Sequence, residues 1–203
     1  GGVADLGPGS GALCLGAGNK PAPEDRVGMM SGIFDVLFKL VSLRKPVFSA
    51  VDGNAFGGGF SLAVTADIVI ATPRARFSLV FGRIGLIPDM TAAYVLPRLI
   101  GPQRTKELTF TARSFGVDEA VSMGIVQEVH EADALLPAAR QMASQLSHGS
   151  ATAMAEAKRL IDMSLQSSQA EMTDAECAAQ LACRGTEFHG EAVRRFMTKE
   201  PRL

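Results

Sequence analysis

The pattern of apolar and polar positions changes character near residue 130. Before it, short apolar runs sit between turns rich in glycine, proline and aspartate. Residues 12–15 (ALCL), 46–51 (PVFSAV), 67–71 (DIVIA) and 77–80 (FSLV) have the length and apolar density of buried strands, with Thr72-Pro73 turning the chain between the last two. Ile33, Leu37, Leu40 and Val41 recur at near-helical spacing, so residues 29–43 are predicted to form a helix that feeds the strand at 46–51. Strands and helices alternate in this way to about residue 129. Beyond Glu131 the period is helical throughout, over 132–146, 151–165, 171–183 and 187–197, with Gly149 and Ser150 fitting a break and an N-cap. The expected organisation is an α/β core over residues 1–130 and a helical region over 131–203. The first 27 residues, apart from 12–15, read as loop.

Residues 52–63 (DGNAFGGGFSLA) concentrate the candidate chemistry. Gly57, Gly58 and Gly59 separate the strand at 46–51 from a helix-compatible run at 60–66. Glycine accepts backbone angles closed to other residues and lets a ligand approach the main chain. The first amides of the helix that follows have no intrahelical acceptor, so such a turn can offer N–H groups to a carbonyl oxygen that gains negative charge. Three glycines alone favour a plain tight turn.

Composition narrows the partners. With 203 residues, 47% hydrophobic content and a formal net charge of −1, the chain can bury a full core and carries no basic surplus for nucleic acid or an anionic membrane. No apolar run reaches the roughly 20 residues of a membrane span, and the first ten residues are too polar for a signal-peptide core. Cys14, Cys177 and Cys183 lack CxxC spacing, and His130, His148 and His189 are not paired at metal-ligand spacing. Reduced thiols, a cytoplasmic setting and no metal are expected.

Several segments, in order, resemble one family. They are 45–63 (KPVFSAVDGNAFGGGFSLA), 66–71 (ADIVIA), 75–77 (ARF), 84–89 (IGLIPD), 96–101 (LPRLIG), 120–126 (AVSMGIV) and 186–192 (TEFHGEA). Together with 13–18 (LCLGAG), which is similar to a family loop that usually ends in Asp, they resemble the enoyl-CoA hydratase/isomerase, or crotonase, superfamily over roughly residues 11–200. The resemblance implies an α/β crotonase (ClpP-like) fold, a curled β-sheet core with helices and a helical C-terminal region that assembles trimers or dimers of trimers. It lacks a counterpart for the β-hairpin and helix that precede the 13–18 loop in family members, and those elements are expected to be missing from this stretch of sequence.

The resemblance also implies a mechanism. Two backbone amides, mapping to Ala17 and Gly58 beside Gly16 and Gly57, would bind the thioester oxygen of an acyl-CoA and stabilise its enolate. CoA would arrive as part of the substrate, and no separate cofactor is implied. Family hydratases carry glutamates at the positions of Ser61 and Phe81, neither of which can act as acid or base. Asp89 remains. It follows Ile87-Pro88 as in family isomerases of the phenylacetate-pathway type, and one carboxylate suffices for a double-bond shift. Capping of a helix that starts near Thr91 is the competing role for Asp89.

After Asp89 the family often has Gly-Gly where this chain has Met90-Thr91-Ala92-Ala93, and larger side chains there would narrow or reshape the acyl pocket. Ser61 would line the substrate site, Phe60 and Phe81 would line the core or, in the case of Phe81, the substrate site, and Lys199 would reach a CoA phosphate or lie free on the surface. Apolar Leu160, Ile161 and Leu165 fit either an interface or an internal core. Two other function classes stay open at this stage. One is a non-catalytic acyl-CoA-binding homologue that kept the fold without the carboxylates. The other is a serine hydrolase, because Gly59-Phe60-Ser61-Leu62-Ala63 approximates a G-x-S-x-G nucleophile elbow, although it ends in Ala63 and Asp52–Gly58 separates it from the strand.

Overall fold

The computed structural model describes Asp35 and residues 37–199, which divide into two compact units. One, the mixed unit, runs to Leu43 and from Val47 to Arg140; the other, the helical unit, holds Arg44–Pro46 and the chain from Gln141 onward.

In the mixed unit, helix α1 (residues 37–41) precedes strand β1 (Phe48–Val51); of the helix expected over 29–43, residues 29–34 and 36 lie outside the described residues, as does the strand expected over 12–15. Strands β2 (Asn54–Phe56), β3 (Ile68–Ala71), β4 (Arg76–Ser78), β5 (Phe115–Gly116) and β6 (Glu128–Val129) follow. They form two three-stranded sheets. In one, β3 pairs parallel with both β1 and β6, in register Phe48↔Ile68 and Ile70↔Glu128. In the other, β4 pairs parallel with β2 and antiparallel with β5, in register Ala55↔Phe77 and Phe77↔Phe115. Parallel pairing requires the chain to cross over between strands, and α2 (Gly58–Val64) makes such a crossing directly after β2.

Two elements depart from the sequence reading. Residues 54–56, taken as part of the turn before the helix, form β2; an Asn-containing tripeptide has little strand propensity of its own, and pairing with β4 decides it. The strand expected over 77–80 ends at Ser78, and Val80–Ile84 winds into a short 3-10 helix that carries Phe81 into the core. Helices α3 (Ala92–Ile100), α4 (Pro102–Thr111) and α5 (Val117–Ser122) fill the space to β6.

The core is aromatic at its centre. Phe60 of α2, Phe77 of β4 and Phe115 of β5 are all buried, with ring centroids 5.5, 5.7 and 5.6 Å apart. Each buried ring is worth roughly 1.5–3 kcal/mol, and each tilted or edge-on pair adds about 0.5–1.5 kcal/mol. Helix α2 also packs against β1, β2 and α3, with Ala92 and Leu96 of α3 in the same cluster. This packing fixes the glycine turn that opens α2.

Helix α6 (Ala132–Ser147) is followed in the helical unit by α7 (Ala151–Ser164), α8 (Gln169–Arg184) and α9 (Glu187–Thr198). Their starts are set by local chemistry. The Ser150 and Thr186 hydroxyls accept from the amides of Ala153 and His189, and Ser168 and Glu171 form a reciprocal capping box. Arg44 and Arg159 both pair with Glu156 of α7. An open groove of about 470 Å³ lies between α7 and α8, over Ala157, Leu160, Cys177 and Cys183. Ile161 and Leu165 are 69% and 65% exposed, so the internal-core reading does not hold for them. Helix α9 buries no residue, and its Phe196 and Met197 face outward. Among the described residues no helix is long and apolar enough to cross a membrane.

Candidate active site

The site elements in the mixed unit are the β2–α2 turn and the segment between the 3-10 helix and α3. At the turn, Gly57 has φ 55° and ψ −123°, a conformation in essence reserved for glycine. Its N–H donates to the Ser78 carbonyl at 2.9 Å, and its carbonyl accepts the Ser61 amide at 3.0 Å. A β-carbon placed there would stand 3.3 Å from Val80 Cγ2 and 3.8 Å from Phe81 Cζ. Gly57 is therefore required both by its backbone angles and by the side chains packed over it. Gly58 follows as the first residue of α2, where its N–H has no intrahelical acceptor.

Ser61 and Phe81, offered above as residues lining the substrate site, are both part of the packed interior. Ser61 is completely buried inside α2, and its hydroxyl donates back to the Gly57 carbonyl at 3.2 Å. A serine so enclosed and occupied cannot serve as an exposed nucleophile, which removes the nucleophile-elbow reading. Phe81 is 7% exposed, belongs to the apolar core cluster and lies over Gly57. Its position next to the turn was legible from the motif; its role as a core member follows from the 3-10 winding.

Asp89 behaves differently. Helix α3 starts at Ala92, and its N-cap is Thr91, with no side-chain cap hydrogen bond. Asp89 contributes only its backbone carbonyl, which accepts the Ala92 amide at 3.1 Å. The capping role weighed for its side chain is therefore absent. Asp89 Oδ1 is shut off from solvent and has no hydrogen-bond partner. Desolvation holds the carboxyl above the ordinary carboxylate range, opposed in part by a hydrogen bond from its own backbone N–H.

The two residues that follow are held in the left-handed region, Met90 at φ 51° and Thr91 at φ 68°. The backbone thus takes a shape that glycines accept freely, while carrying two side chains. Met90 is packed inward at 5% exposure, and Thr91 Oγ1 is a second buried oxygen without a partner. By residue type, Met90 and Thr91 stand out only as bulk.

Gly16 and Ala17 lie outside the described residues. Lys199 is exposed at the end of α9 in the helical unit, where it caps the helix in the left-handed conformation at φ 57°.

Two small sheets with a parallel crossover through α2, and helices packed around them, make up the crotonase fold, which this chain shares with solved structures. Comparison with known proteins gives the family. Residues 10–201 match the model of the family described as Enoyl-CoA hydratase/isomerase, and the chain belongs to that family. A carnitinyl-CoA dehydratase from Escherichia coli K12 is 37% identical over 139 residues, covering 68% of this chain and 52% of that protein. The one from Salmonella enteritidis PT4 gives the same identity and coverage. The chain therefore spans about half the length of these curated relatives.

Among solved structures, an enoyl-CoA hydratase/isomerase from Cupriavidus metallidurans CH34 superposes with a TM-score of 0.83 at 41% identity, covering 89% of this chain and 68% of that one. An enoyl-CoA hydratase from Bacillus anthracis does so at 0.85 and 28% identity, covering 90% and 71%.

Proposed function

We propose that this chain processes acyl-CoA thioesters by enolate-forming proton transfer, with Asp89 as the single acid–base group, and that it shifts a double bond rather than adding water. The observation that carries this reading is the half-buried, desolvated Asp89 carboxyl, whose Oδ1 is covered and without a partner, set against Ser61 and Phe81 at the two positions where a hydratase needs carboxylates. Asp89 would take a proton from the carbon next to the thioester carbonyl of a 3-enoyl-CoA. The electron pair would move onto the carbonyl oxygen as a dienolate, and the same proton would return to the fourth carbon, leaving the 2-enoyl isomer. The Gly58 amide, with that of Ala17, would hold the oxygen while it is charged. Phenylacetate-type isomerases are the subclass this arrangement fits.

Self-association belongs to the same proposal, as a trimer or pair of trimers, supported by the outward apolar side chains Ile161, Leu165, Leu181, Phe196 and Met197. A reducing, cytoplasmic setting is supported by Cys177 and Cys183, both free thiols.

The deciding experiment follows the conjugated-thioester absorbance of the purified protein with a 2-enoyl-CoA and with a 3-enoyl-CoA. A gain from the 3-enoyl ester without loss from the 2-enoyl ester is expected. The name of the relatives, carnitinyl-CoA dehydratase, favours a second reading in which water is removed or added. Fast loss of the 2-enoyl absorbance would establish that reading in place of the first. Binding of CoA esters with no change in either would indicate a non-catalytic homologue.

A further inference from the structure

The three glycines of the β2–α2 turn are not equally covered. Gly57 and Gly59 are buried, whereas Gly58 is half-buried and its N–H has no intrahelical acceptor. That N–H shares one planar trans peptide with the Gly57 carbonyl, and the two groups point in opposite directions, so whatever holds the carbonyl also aims the N–H. The carbonyl is held twice. It accepts the Ser61 amide at 3.0 Å and the Ser61 hydroxyl at 3.2 Å. On the other flank, the Gly57 N–H donates to the Ser78 carbonyl at 2.9 Å.

The bond from the Ser61 amide is the ordinary opening bond of a helix; the bond from its hydroxyl is an addition that the side chain alone supplies. A serine that bonds back to the carbonyl four residues earlier slightly destabilises a helix, so helix formation by itself would be served better by alanine at this fully buried position. What the hydroxyl adds is electronic. A hydrogen bond accepted by a peptide carbonyl polarises the whole peptide and makes the N–H at its other end a stronger donor. We propose that Ser61 is a positioning residue, whose hydroxyl orients and polarises the Gly57–Gly58 peptide so that the Gly58 N–H binds the thioester oxygen more strongly as that oxygen gains charge. The proposal rests on the reading of the Gly58 amide as a donor to that oxygen.

The test uses the full chain, unaltered and as Ser61→Ala, which removes the hydroxyl, and Ser61→Thr, which keeps it. Infrared difference spectra of bound butyryl-CoA, carrying carbon-13 at the thioester carbonyl, report the donor directly. A stronger hydrogen bond lowers the carbonyl stretching frequency, and the frequency does not depend on how much of the protein is active. The unaltered chain is expected to lower it, Ser61→Ala to lower it by less, and Ser61→Thr to restore the full shift. An oxyanion donor is worth about 10²- to 10³-fold in rate, and a neighbouring hydrogen bond strengthens it by about 10–30%. The kcat for a 3-enoyl-CoA is therefore expected to fall roughly two- to eightfold in Ser61→Ala, at a KM within about twofold. Should Ser61→Thr overfill the closed site, Ser61→Cys, a weaker donor, takes its place and is expected to fall between serine and alanine. An unchanged frequency in Ser61→Ala overturns the proposal even if the rate falls, because lost activity with an intact carbonyl shift is what a purely structural serine would give. If the unaltered chain leaves the carbonyl frequency as it is in free solution, the Gly58 reading falls and the proposal with it. A full shift in every variant removes only the role of Ser61.

Discussion

Among the turns of the mixed unit that take positive φ, the two at the candidate site are met with opposite residues. At the β2–α2 turn the chain uses Gly57, whose N–H and carbonyl are both hydrogen-bonded and whose missing side chain leaves room for Val80 and Phe81. Before α3 it uses Met90 and Thr91, both left-handed, next to two buried oxygens without partners. The first turn is relaxed and satisfied, as an element must be if it holds backbone amides in a fixed place. The second is strained and unsatisfied, the kind of outlier that gathers at functional sites. A rigid donor therefore faces no requirement to give up stability, whereas the segment carrying the carboxylate does.

The comparison is broken most directly at its reactive end. Asp89→Asn keeps size and removes the base, so exchange of the proton next to the thioester carbonyl, followed by NMR in deuterated buffer, is expected to fall about 10²- to 10⁴-fold. Undiminished exchange would place the base elsewhere. At the relaxed turn the expected loss is of fold rather than of chemistry. Gly57→Ala puts a β-carbon at φ 55° and ψ −123° and within 3.3 Å of Val80 Cγ2, and is expected to lower the unfolding free energy in urea by roughly 2 kcal/mol or more. A midpoint equal to that of the unaltered protein would show that the turn is not held as described.

The legibility of these regions in the sequence follows the range of the forces that shape them. Helices α7 and α9 were readable from their helical period, α7 also from Ser150, which caps it through a contact three residues away. The Ser168–Glu171 box was equally local, and it extends α8 two residues beyond the start that periodicity indicates. Strands β1 and β3 were readable as apolar runs. Strand β2 was not, because its strand state comes from β4 across the sheet, and the 3-10 helix at Val80–Ile84 hides inside an apolar run that alternation alone would extend. At the site, the glycine turn and Asp89 stood out by residue type. That Asp89 leaves the helix uncapped, that Ser61 spends its hydroxyl on Gly57 and that Thr91 is unpartnered all depend on burial, which residue type does not reveal.

Relief of the strained turn should run opposite to Gly57→Ala. Thr91→Gly removes left-handed strain of about 1–2 kcal/mol and an unsatisfied hydroxyl, against a backbone-entropy penalty of up to about 1 kcal/mol. A net gain of about 1 kcal/mol in urea unfolding is expected, and a loss would mean that the Thr91 side chain makes packing contacts that outweigh its strain.

The smallest effect, and the one most specific to this segment, is in pH. Burial raises the folded-state pKa of Asp89 above its unfolded value, so across the window between the two the folded chain holds the proton more often than the unfolded one. Stability contributed at this site therefore falls as pH rises from the unfolded value near 3.9 through the raised folded value, and stays reduced at neutral pH. Asn has no proton to lose. Asp89→Asn is thus expected to unfold at a higher urea concentration than the unaltered chain at pH 7, and the difference should shrink as pH is lowered toward 4. A difference that widened on acidification would mean that the Asp89 carboxylate is stabilised in the fold by a partner, and the contrast between the two turns would not stand.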